Sequence, residues 1–163
     1  MSYKRLAGII VLFIFLVFPV SASLVSFLIV ETGLNDNAPS PQYSSLWEGG
    51  LMSPFFDAGY IVTNNPIQRL ERKPSVDLSG AIRADFDSAA LAGAEYFIIA
   101  YLEYSSVRNF TVPNGLNIRL FRIGSEELIF EETFSAGTGS SLRDEFRLAQ
   151  NVGRILVSQI MGR

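Results

Sequence analysis

The chain has 163 residues, with 13 basic and 16 acidic side chains, a formal net charge of −3, and neither histidine nor cysteine. Those absences exclude a disulfide framework, an acylated N-terminal cysteine, Cys/His metal clusters and histidine- or cysteine-based nucleophile relays. A slight excess of acid, with the basic residues dispersed, argues against nucleic-acid binding and against electrostatic adhesion to anionic lipid.

Lys4 and Arg5 precede the apolar run 6–18, and Pro19-Val20-Ser21-Ala22 supplies the small residues that a signal peptidase needs. This order predicts a signal peptide over residues 1–22, cut after Ala22, and a single exported α/β domain over residues 23–163. Without Lys4 and Arg5 the balance is 11 basic against 16 acidic residues, or −5. A domain of this size buries roughly two thirds of its unfolded surface, so it is large enough to fold alone. The alternative is a retained inner-membrane anchor, because residues 6–30 are uncharged and about 20 residues cross a bilayer. Pro19 interrupts a single spanning helix, and residues 23–30 (SLVSFLIV) are rich in the β-branched and aromatic side chains of a buried first strand.

Residues 31–45 collect Gly33, Asn35, Asp36, Asn37, Pro39 and Pro41, which marks a loop. Ser44 or Ser45 is suited to cap a helix bearing Trp47, Leu51, Phe55 and Phe56, with Gly49 and Gly50 lowering its helix propensity and Gly59 ending it. A short strand follows at 60–63, stopped by Asn64-Asn65-Pro66. The charged stretch 68–74 has no periodicity of a core element. Ile82, Phe86, Ala89 and Ala90 then form the stripe of a second helix, which Gly93 ends. The continuous apolar run 96–104 predicts a central strand extending toward Val107. Beyond Pro113-Asn114-Gly115, residues 116–121 and 128–134 read as an antiparallel hairpin. Ser141 caps the clearest helix, with Asp144 and Glu145 in its first turn and Leu142, Phe146, Ala149, Leu156 and Ile160 along one stripe. The predicted fold class is α/β (α+β): a single mixed sheet of about five strands with two or three helices packed on it, in the order β-α-β-α-β-β-β-α or with one strand fewer.

This order and the segment Ala89-Ala90-Leu91-Ala92-Gly93-Ala94-Glu95-Tyr96-Phe97-Ile98-Ile99 resemble a group of envelope proteins. The group comprises the N-terminal domain of TolB, the core of the curli-secretion lipoprotein and the outer-membrane activators of penicillin-binding proteins, all of an anticodon-binding-like α/β fold. In them a helix runs into an Ala-x-x-x-Gly-Ala-[Asp/Glu]-Tyr turn that opens a long strand. Ile118-Arg119-Leu120-Phe121-Arg122, Glu127-Leu128-Ile129-Phe130 and the closing helix 142–160 resemble the hairpin and last helix that follow. The resemblance implies an exported adaptor-like domain. The chain departs from the group in lacking the lipid-bearing cysteine and any long pore-forming insertion, and no propeller domain is expected after residue 163.

No catalytic residue, cofactor or metal site is expected. Asp85 and Asp87 do not share a helix face, and Glu31 and Asp36 lack the ligand spacing of a calcium loop. Gly137-Thr138-Gly139-Ser140-Ser141 is placed to cradle an anion at a helix N-terminus, but lacks the lysine of a phosphate loop, and reads better as a connection. Tyr43, Trp47, Phe55 and Phe56 are the candidate partner surface, set against the plainer reading that the last three cover the sheet. The expected function is a noncatalytic periplasmic protein-binding or assembly module whose partner is another envelope protein, with no nucleic acid, and with membrane contact only if the N-terminal segment is uncleaved. A periplasmic small-solute or peptidoglycan-binding protein is the alternative.

Overall fold

A computed structural model describes residues 22–34, 42–76, 78–107 and 110–162. The strands are β1 (Leu24–Thr32), β2 (Ile61–Asn64), β3 (Gln68–Leu70), β4 (Tyr96–Val107), β5 (Phe110–Arg122) and β6 (Glu127–Phe134). The helices are α1 (Gln42–Asp57), α2 (Gly80–Leu91) and α3 (Leu142–Met161), with a 3-10 turn at Ile123–Ser125. The sheet is ordered β2-β1-β4-β5-β6, and β3 pairs with the second half of β1. β1 runs parallel to β2, β3 and β4, whereas β4, β5 and β6 are antiparallel, so the predicted mixed sheet is present.

β1 and β4 are central and covered on both faces, which explains why both read as unbroken apolar runs. On one face, Phe27, Ile29, Ile98 and Ala100 pack with Trp47, Leu51 and Phe55 of α1 and with Ala149, Val152 and Leu156 of α3. On the other, Leu28, Val30, Phe97 and Ile99 meet Ile82, Phe86 and Ala89 of α2. Because residues 24–30 belong to β1, a single membrane helix over residues 6–30 is incompatible with this fold.

Three boundaries differ from the sequence expectation. α1 begins at Gln42, so Ser44 is not its cap but a buried residue of its first turn. β3 forms within a stretch that carries no periodic signal; three residues are too few to show one, and the open edge of β1 organises them. β5 begins at Phe110 and continues through Pro113-Asn114-Gly115. The register shifts between Glu103 and Tyr104, opposite Pro113, and such a bulge is where a strand tolerates proline.

Gly50, unfavourable for an isolated helix, permits close contact between α1 and α3. A Cβ on Gly50 would lie 2.4 Å from Ala149 Cβ, and one on Gly153 would lie 2.6 Å from the Leu51 carbonyl oxygen. The paired positions advance together along both helices, so α1 and α3 lie side by side in the same direction. Ser141 caps α3 as expected, its Oγ accepting from the Asp144 N–H at 3.2 Å. Gly93, at φ +82°, ends α2, and the Ala94 N–H donates back to the Ala89 carbonyl.

Candidate functional site

Two buried carboxylates are absorbed by the architecture. Glu145, in the first turn of α3, is 1% exposed. Its Oε1 accepts from Gly137 N–H at 2.6 Å and from Trp47 Nε1–H at 3.0 Å, and its Oε2 accepts from Gly139 N–H at 2.9 Å. The Gly137–Gly139 turn does cradle an anion, but the anion is the chain's own side chain. The Gly137 and Gly139 N–H groups are both taken by Glu145, and a Cβ on Gly139 would fall 2.8 Å from its Oε2.

Glu31, near the end of β1, is the second. Its Oε1 accepts from Ser44 Oγ at 2.6 Å, and its Oε2 accepts from Arg69 Nε and Nη2 at 3.2 and 3.1 Å. Arg69 is its register partner on β3, which gives that short strand a charged tie to the sheet. Ser44 Oγ also lies 2.7 Å from Tyr104 Oη. Burial pushes the Tyr104 hydroxyl above its ordinary pKa, with the Ser44 bond pulling the other way and Glu31 adding to the rise.

A third polar group is open to solvent. On the α2 side of the sheet, β5 and β6 present Asn117, Arg119, Glu131 and Thr133. Lys73, from the segment between β3 and α2, donates to Asn117 Oδ1 at 2.7 Å and Glu131 Oε1 at 3.3 Å; Arg119 Nε donates to the same Glu131 oxygen at 3.0 Å. Partial desolvation works to raise the Glu131 pKa, but the bonds from Arg119, Lys73 and Asn117 outweigh it and hold the carboxyl below the usual range. Lys73 Nζ and Arg119 Cζ lie 5.4 and 5.6 Å from the Tyr101 ring centroid. Tyr101 is fully buried and its hydroxyl finds no hydrogen-bond partner among the described residues. Burial, with Glu131 nearby, raises its pKa to about 12. Beside this network Arg72, Lys73, Pro74, Ser75, Val76 and Ser79 line a groove of about 520 Å3.

The four aromatic residues expected to form a partner surface are not gathered on one face. Trp47 and Phe55 have no exposed surface and belong to the core, Phe55 edge-on to Phe27 at 5.1 Å; their helical spacing directs them onto the sheet. Tyr43 is half-buried at the start of α1, and Phe56 is exposed at its far end. Of the acids singled out, Asp85 accepts from Gln68 and Asp87 pairs with Arg83 at 2.9 Å, whereas Asp36 lies outside the described residues. Among the described residues no group of three or more acids is placed to hold a metal ion. The open polar network went unread in the sequence because its members come from positions 73, 117, 119, 131 and 133, and only the strand register joins them.

No protein-family model matches this chain, and no curated protein does. Among solved structures, a variant of the PelC dodecamer from Paraburkholderia phytofirmans is 13% identical with a TM-score of 0.48, over 87% of this chain and 90% of that one. TolB from Acinetobacter baumannii is 11% identical at 0.46, over 88% of this chain but 29% of its own length. The LpoB C-terminal domain from Salmonella enterica is 14% identical at 0.44, over 78% of this chain and 93% of that domain. These likenesses are spread over several proteins and do not single out one family.

Proposed function

We propose that the chain is a noncatalytic protein-binding or assembly module of the cell envelope, exported by residues 1–22 and working in the periplasm. The observation that carries this reading is the open groove of residues 72–79 beside the polar face of β5 and β6. Its arginine, lysine and serines, interleaved with Pro74 and Val76, suit a solvated protein segment, with charge for orientation and a modest apolar contact. The buried acids do not contribute chemistry, because each is occupied in holding elements together. Tyr43, at the same end of the molecule, remains a candidate contact; Trp47 and Phe55 do not.

The groove's volume also lies within the range of small-ligand sites, which keeps a solute or peptidoglycan fragment as the second reading. A photocrosslinking residue placed at Val76 of the full chain in living cells separates the two. The protein-binding reading predicts a discrete protein adduct at Val76, absent at Ile155 on α3 and weakened by Arg72→Glu. No adduct at Val76, together with a rise in Tm on adding peptidoglycan fragments, would replace it with the solute reading.

A further inference from the structure

The sheet ends on two unlike edges. On one side β1 is flanked by β2 and β3, strands of four and three residues separated by Asn65, Pro66 and Ile67, so no continuous ladder is offered there. On the other side β6 has eight residues, no proline and no basic side chain, and among the described residues it pairs with β5 alone. Its register shift is confined to the pairing with Leu120 and Phe121, after which residues 130–134 lie in unbroken register with residues 120–116. Along such a stretch every second residue turns its N–H and C=O away from the sheet, which is the template an added strand needs.

The side chains along this edge say what the added strand must carry. On the face covered by α1 and α3, Phe130 and Phe134 are half-buried against the core, and Glu132 is exposed between them. The neighbouring acids are already engaged: Glu126 with Arg83, Glu127 with Arg122, and Glu131 with Arg119 and Lys73. Glu132 has no hydrogen-bond or ion-pair partner among the described residues. Residues directly opposite each other on paired strands lie about 4.5–5.5 Å apart, so an added strand sets one side chain against each of Phe130, Glu132 and Phe134. A second copy paired antiparallel about Glu131 or Glu132 would set that glutamate against itself, and like charges directly opposite destabilise a sheet. The edge therefore suits a basic segment better than its own copy.

We propose that residues 130–134 of β6 are a docking edge for an extended segment of a partner protein, which joins the sheet as an outer strand. The segment sets a lysine or arginine beside Glu132, with apolar side chains two positions to either side of it against Phe130 and Phe134. Backbone hydrogen bonds hold such a strand, and its alternate side chains select it. The inference rests on the protein-binding reading of this chain but not on the groove, since none of the residues lining the groove belongs to β6.

The test offers the full chain, held through a C-terminal tag in nonionic detergent, a displayed library of random heptapeptides. The proposal predicts recovery of peptides with a lysine or arginine flanked two positions to either side by apolar residues. Glu132→Lys should weaken a recovered peptide by about fivefold and, given the same library, select an acid at the central position. The substituted side chain is exposed, and an unchanged circular dichroism spectrum checks that the variant folds. In hydrogen exchange, the recovered peptide should slow amides within residues 130–134 and leave residues 72–79 unchanged. Recovery of no peptide, recovery of peptides without this pattern, or binding that Glu132→Lys leaves unchanged would overturn the proposal. Protection of the same amides in a dimer of the free chain would also overturn it, making the occupant a second copy. Crosslinking at Val76 is a separate readout, so failure of the docking edge and failure of the partner reading are distinguishable.

Discussion

Glu145 and Tyr101 are opposite cases of a buried polar group. Glu145 accepts three hydrogen bonds, two from a glycine turn and one from an indole 98 residues away, and joins the α3 cap to α1. Glu145→Gln keeps the shape but removes the charge and one acceptor, and should cost about 3 kcal/mol in urea unfolding. Tyr101 has no partner for its hydroxyl, so Tyr101→Phe should leave stability unchanged or raise it by up to about 1 kcal/mol. Tyr104→Phe, which breaks the contact with Ser44, should instead destabilise by about 1 kcal/mol. Folding favours the neutral phenol of Tyr101, so its contribution is intact at pH 10 and below, then lost as pH rises toward the folded value of about 12. Alkaline unfolding followed by circular dichroism should show stability falling over that window, less steeply in Tyr101→Phe. The capping role of Ser141 and the acids of its first turn were legible because they are local. The bond from Trp47 to Glu145 was not, since nothing in the spacing of residues 47 and 145 announces it.

At the level of elements, the pairing of α1 with α3 depends on absent side chains. Gly50→Ala would drive a methyl into Ala149 and should destabilise by about 1–3 kcal/mol, whereas Gly124→Ala, with open space around it, should be close to neutral. Denaturant midpoints of the two variants decide the point. The sequence showed the helices and the central strands because each has a long apolar stripe or run, and Gly93 marked the end of α2. It did not show that Gly50 is a packing feature, because propensity describes an isolated helix and the neighbour that needs the space is about a hundred residues away. β3 escaped for the converse reason: three residues have too little pattern, and the pairing of Arg69 with Glu31 exists only once β1 is in place. Arg69→Ala should therefore loosen that edge and raise amide exchange in β3 and the second half of β1 before the centre of the sheet responds.

For the whole molecule, the sheet sorts the surface into two faces. One is covered by α1 and α3; the other by α2, with the polar residues of β5 and β6 and the groove lined by Arg72, Lys73, Pro74, Ser75, Val76 and Ser79 beside it. Fold class was readable in the sequence because alternating strands and amphipathic helices leave periodic signals, whereas the polar network of Lys73, Asn117, Arg119 and Glu131 was not, because strand register joins most of its members. The aromatic residues that attracted attention around α1 are mainly core, since large apolar side chains at helical spacing serve first to cover a sheet. The account stands on the proposed export, with β1 starting at Leu24. The most direct measurement is the mass of the N-terminal peptide of a C-terminally tagged full chain recovered from fractionated cells. The account predicts an envelope species beginning at Ser23; a soluble cytoplasmic species retaining residues 1–22 would contradict it.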